Sequence, residues 1–248
     1  MFPQYDLDKI KFATDQPTFD RAVKIYESGG VKNFEDVGLG FTAEVRGSAG
    51  NFYEVYVSAK HYDRGSCNCY LGQNDTLCKH MVALAIYAVK RGEPLTDEER
   101  QLISGPTCSG RLGILDKEEL ATIKKSITAA LRYIKPYTGP SRIWFQYQNS
   151  LSEGCNRLAK IVSGLSVSKQ TAELLVDLLL RLDKKLCTGG VDDSDGTVGE
   201  FMYEVVGVLE EFARLDPLCI QIFKKLCGQS TCFGWEEPLV KIFNETKQ

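Results

Sequence analysis

The chain has 248 residues, 43% of them hydrophobic, and its 30 basic and 33 acidic residues leave a net charge of −3. That apolar fraction is ample for a core of one or two domains, and the near balance of charge excludes adhesion of the whole chain to nucleic acid, leaving only local binding. The opening MFPQYDLDKIKF lacks the basic and apolar regions of a signal peptide, and the longest apolar run, Met81 to Val89, is half a membrane span. The expectation is a soluble, cytoplasmic protein with no membrane partner.

Residues 17 to 28 open with Pro17 and carry Phe19, Ala22, Val23, Ile25 and Tyr26 on one stripe before Gly29-Gly30, which predicts a short amphipathic helix. Val31 to Val37 reads as a weak strand. Phe41, Ala43 and Val45 alternate with polar residues, as do Tyr53, Val55 and Val57, and Gly47 to Gly50 is the turn between these two runs. A small antiparallel meander follows, its third strand leading toward Cys67, then a helix from about Cys78 to Lys90. The breaker-rich stretch from Glu93 to Gly113 marks a boundary: residues 1 to 95 form one module, 96 to 115 a linker with a short helix capped by Thr96 and Glu99, and 116 to 248 a second domain.

From Asp116 onward the periodicity is helical. Asp116 and Glu119 make a capping box, Pro140 precedes RIWFQYQNSLSEGCNRLAKIV, and KQTAELLVDLLLRLDKKL is strongly amphipathic. Thr197 and Glu200 cap FMYEVVGVLEEFARL, Asp216-Pro217 start LCIQIFKKLC, and Trp235 to Phe243 closes the chain with a short helix. Six helices with short connections and no fixed-period repeat predict a bundle or an array of helical hairpins. The fold class is therefore α+β, a small sheet-and-helix module followed by an all-helical domain.

Among nine cysteines and two histidines, Cys67, Cys69, Cys78 and His80 form a Cys-x-Cys, eight-residue, Cys-x-His cluster. Three thiolates and an imidazole are the donor set of a tetrahedral zinc site. Residues i and i+2 of an extended segment project to one side, so Cys67 and Cys69 reach one ion while Asn68 points away. Cys78 falls at a helix start, where exposed N–H groups favour a thiolate, and His80 completes the tetrahedron. Four protein ligands leave no place for a reactive water, which makes the site structural rather than catalytic. Neither HExxH nor the His-x-Glu and Pro-Cys-x-x-Cys pair of zinc deaminases is present. Lys60, Arg64 and Lys79 are the candidate nucleic-acid or partner contacts, and Arg64 and Lys79 also stand near enough in sequence to offset the −1 charge of a zinc tris-thiolate.

A strand hairpin running into SCNCYLGQNDTLCKHMVALAIYAV resembles the SWIM zinc finger, whose pattern is Cys-x-Cys, a variable loop, Cys-x-His and an apolar helix. All four ligand positions match, and the resemblance covers roughly residues 12 to 92. It implies a DNA-binding or protein-interaction module, since such domains occur beside chromatin-remodelling-type ATPases, in Mutator-like transposases and in some ubiquitin-pathway kinases. Together with GGVDDSDGTVGEF and TCFGWEEPL, the arrangement is similar to that of stand-alone bacterial SWIM proteins.

Other candidates yield plainer readings. Asp192-Asp193-Ser194-Asp195-Gly196 suggests calcium, but with Gly196 sixth in such a loop the twelfth position is Met202, where a bidentate glutamate is required. It reads as an acidic loop before the Thr197 cap. Trp144, Phe145, Tyr147, Phe233 and Trp235 read as core aromatics rather than stacking platforms, and Cys227 and Cys232 as packing residues. The six cysteines outside the cluster, Cys108, Cys155, Cys187, Cys219, Cys227 and Cys232, are expected to be free thiols. From Phe41 to Leu95 six basic residues face five acidic ones, a thin footprint for DNA. The expectation is a non-enzymatic zinc adaptor with a protein partner and no small-molecule substrate, with DNA binding by the zinc module as the alternative.

Overall fold

The computed structural model describes residues 2–12, 14–100, 105–140 and 144–246, without the side chains of 144–146. It is α+β, with one four-stranded antiparallel sheet and a majority of helix, and the chain divides into two compact units, Met1–Leu102 and Ile103–Gln248.

In the first unit, α1 (Leu7–Phe12) is a six-residue helix with no counterpart in the sequence reading, too short to register as a period; it buries Leu7 and Ile10. The helix expected from Pro17 is α2 (Gln16–Glu27), starting one residue earlier because the Asp15 carboxylate accepts the Thr18 N–H at 2.9 Å. The sheet runs β1 (Val31–Asp36), β2 (Gly40–Arg46), β3 (Phe52–Ser58), β4 (Gly65–Cys67) in that spatial order. Its alternation is as the sequence dictates: Phe41, Ala43, Val45, Val55 and Val57 are buried, while Glu44 and Glu54 face solvent. Helix α3 (Lys79–Lys90) buries Val82 through Ile86 against α2 and the inner sheet face. The Thr96/Glu99 cap is present at α4 (Asp97–Arg100), and Lys90 to Glu99 and Arg100 to Glu27 ion pairs tie this turn to the rest of the unit.

The second unit holds α5 (Lys117–Ala130), α6 (Trp144–Gly164), α7 (Lys169–Cys187), α8 (Thr197–Leu215), a 3-10 segment (Pro217–Leu226) and α9 (Glu237–Glu245). The Asp116/Glu119 capping box forms as expected, and α7 has its own in Ser168 and Thr171. Leu151, Leu158, Leu175, Leu179, Val205, Leu209, Phe212 and Trp235 line one continuous core. Two local expectations change. Residues 217–226 wind as a 3-10 helix, a distinction the sequence pattern does not carry, since the buried Cys219, Ile222, Phe223 and Leu226 recur at intervals that both helix types satisfy. Helix α8 is not capped by Thr197: Asp193 lies outside the helix and accepts the N–H groups of Val198 and Gly199, at 2.8 Å each, while Asp195 accepts that of Thr197. The acidic loop is thus a cap for a positive helix end, and burial raises the Asp193 pKa against those bonds.

Candidate metal centre

The four cluster residues come from three short pieces of backbone. Cys67 ends β4 opposite Val55, so the ladder fixes its direction. Asn68 accepts the Glu54 N–H through its side chain and donates its own N–H to the Glu54 carbonyl, which turns Asn68 outward and aims Cys67 and Cys69 inward. The chain then closes on itself in a single turn, Gly72–Asn74, held by Gln73 N–H to the Cys69 carbonyl and by the Asn74 amide to the Tyr70 carbonyl. Gly72 is essential to that closure. A Cβ there would lie 2.2 Å from the Cys67 carbonyl oxygen, and the same close approach lets the Gly72 N–H donate to Cys69 Sγ at 3.4 Å.

Cys78 follows in extended conformation at the N-cap of α3, and His80 stands in the first turn. All four residues are buried, and their ligand atoms lie within 4.8 Å of one another. The imidazole presents Nδ1 to the sulfurs of Cys67 and Cys78, 3.8 Å from each, and the Tyr53 ring lies against it at 4.6 Å between centroids. Its Nε2 is buried without a hydrogen-bond partner. A buried histidine surrounded by sulfur is poorly satisfied as a hydrogen-bonding residue and well placed as a ligand.

Proton affinities in the cluster follow from crowding. Cys78 is lowered to about 4, chiefly by the hydrogen bond from Cys67 and, against burial, by His80 and the Met81 N–H of the first helical turn. Cys67 is raised for the reciprocal reason and by burial, with the Cys69 N–H opposing. The direction at Cys78 favours the thiolate, the form in which cysteine binds a cation, and a bound cation would displace the remaining thiol protons. The cluster can hold a metal ion in a shell of four protein ligands.

Comparison with protein-family models, with curated proteins and with solved structures returns no match. What the structure supplies is the buried cluster of Cys67, Cys69, Cys78 and His80 itself.

Lys60 and Arg64 are exposed, and the half-buried Lys79 donates its ammonium to the Ser48 hydroxyl, while backbone N–H groups, that of Gly72 toward Cys69 among them, serve the cluster sulfurs. The solvent face of the sheet carries Glu35, Glu44 and Glu54 together with Lys32 and Arg46, Glu44 standing between Lys32 on β1 and Glu54 on β3. In the second unit Tyr147 and Trp235 are buried as expected, Phe233 is half-exposed against Tyr203, and the side chains of Trp144 and Phe145 lie outside the described residues. The expectation of free thiols fails at one pair: Cys187 and Cys232 form a disulfide, because the loop before α9 returns to the end of α7 with Cα atoms 5.6 Å apart. Gly72 and Tyr53 were also missed. A glycine three residues past Cys69 was a usable signal for the first, whereas nothing in the sequence links Tyr53 to His80. Among the described residues no helix is long and apolar enough to cross a membrane.

Proposed function

We propose that this protein is a non-enzymatic adaptor whose SWIM-type module is stapled by zinc and whose helical unit engages a protein partner. The observation that carries the reading is the closed donor set of Cys67, Cys69, Cys78 and His80, buried and mutually within 4.8 Å. Zinc suits three sulfurs and one imidazole, and its bond lengths of about 2.3 Å to sulfur and 2.0 Å to nitrogen at tetrahedral angles space those atoms about 3.6 Å apart. The 3.8 Å separations from His80 Nδ1 support that choice. When bound, such an ion supplies a cross-link between β4 and α3 with no coordination position left for substrate.

A protein partner is supported by Leu112 and Ile114, 68% and 82% exposed, which sit two residues apart on the non-helical stretch before α5. Nucleic acid is disfavoured because the sheet face mixes Glu35, Glu44 and Glu54 with Lys32 and Arg46 and so offers no basic stripe, and phosphate contacts require basic side chains. Affinity purification from the native host, with and without chelator, should recover a defined partner that Leu112→Asp with Ile114→Asp abolishes. Tight duplex binding that weakens steeply with salt would replace this reading with the DNA one. Cobalt substitution tests the closed shell: its tetrahedral thiolate spectrum should not change on adding small anions, and a change would mean an open coordination position, as a catalytic metal requires.

A further inference from the structure

We propose that Cys187 and Cys232 form a reversible thiol–disulfide exchange site for low-molecular-weight thiols and disulfides, held ready by Asp183. Both residues are exposed, whereas Cys155 and Cys219 are buried, so an attacking thiolate can reach this pair. The segment carrying Cys232 is docked by contacts independent of the sulfur–sulfur bond. Asp183 Oδ1 accepts the Cys232 N–H and the Trp235 Nε1–H, each at 2.9 Å, and Trp235 is fully buried. Phe233 rests on Tyr203 at 5.4 Å between centroids, and the Tyr203 hydroxyl donates to the Phe233 carbonyl. These contacts keep the sulfurs facing each other after the bond opens, so closure proceeds at high effective concentration.

The exchange balances without further reagents. A small thiolate attacks one protein sulfur and forms a mixed disulfide while the second protein sulfur leaves as thiolate. Another small thiolate then attacks the mixed disulfide, and with two protons taken up the products are the protein dithiol and the small disulfide. Two electrons pass from the small thiols to the protein, and the reverse reaction uses the small disulfide as oxidant. The site lies wholly in the helical unit and does not depend on the zinc reading.

The test is alkylation of the full chain, read by mass spectrometry, after equilibration in a series of reduced and oxidised glutathione mixtures. Cys187 and Cys232 should gain and lose label together across the series without adding glutathione mass, whereas the exposed Cys227, which is in no disulfide, should lose label only by gaining the mass of one glutathione. Asp183→Ala should shift the midpoint about tenfold toward the oxidant, the worth of one net hydrogen bond, and Asp183→Asn, which keeps an acceptor oxygen, should shift it less. Should the alanine variant not fold, Cys187→Ser provides the second test, because Cys232 should then be trapped as a stable mixed disulfide with glutathione. Labelling of both cysteines in every mixture, exclusion of label even under full reduction of the folded chain, or absence of the mixed disulfide in Cys187→Ser would each overturn the proposal.

Discussion

The two units solve the burial problem differently. The helical unit spreads its core over α5 to α9 and the 3-10 segment, with leucines and aromatics supplying area along their length. The sheet unit has an apolar core of its own, yet one end of it is built from three thiols and an imidazole that have few partners other than each other. Apolar burial is distributed and degrades gradually, whereas a ligand cluster is concentrated and fails as a whole. The difference predicts one unit that tolerates single changes and, if the proposed zinc occupies the cluster, one that does not tolerate its loss.

The largest effect that separates the units is Cys69→Ser or chelation. With structural zinc contributing roughly 10 to 16 kcal/mol in small modules, the first unit should lose its native circular dichroism and metal while α5 to α9 remain folded. Amide exchange resolved by unit would read this directly, and a first unit that stays protected without metal would erase the contrast. Next comes Trp235→Ala, a fully buried side chain whose loss should cost the helical unit about 3 to 5 kcal/mol in denaturant unfolding without altering zinc content. Cys232→Ser opens a bridge between residues 45 apart and should cost about 4 kcal/mol at most on the chain-entropy account, again in the helical unit alone.

Smaller effects sharpen the picture. Gly72→Ala forces a methyl onto the Cys67 carbonyl and should destabilise the first unit by about 1 to 3 kcal/mol, with weaker zinc retention against a competing chelator. At the bottom of the scale lies the exposed Lys225 to Glu173 pair. The hydrogen bond from Lys225 lowers the Glu173 pKa, so its contribution is present above the unfolded glutamate value and is lost as pH falls through the lower folded value. Lys225→Met should therefore cost under about 1 kcal/mol at neutral pH and nothing in strong acid, as thermal melts at the two pH values would record.

Much of this was legible in the sequence, for reasons visible at particular residues. Alternation at Phe41 to Val45 and Tyr53 to Val57 specified the meander, and the spacing of Cys67, Cys69, Cys78 and His80 specified the cluster, because both depend on short-range periodicity. The Asp116/Glu119 box was equally local. Features joining distant residues escaped: the Cys187–Cys232 bridge depends on how the 3-10 segment turns the chain back, and the Tyr53 ring on His80 depends on how β3 lies beside α3. The Asp193 cap escaped for a subtler reason, since an acceptor five residues before the N–H it serves lies outside the usual capping pattern. Gly72 was readable as a turn, but its contact with Cys67 required the closed loop.

X-ray absorption at the zinc edge on the full chain purified without added metal tests the central claim most directly. The account predicts a stoichiometric ion with three sulfur neighbours at about 2.3 Å and one nitrogen at about 2.0 Å. An oxygen neighbour from exchangeable water, fewer sulfurs, or a folded chain that carries no metal would contradict it.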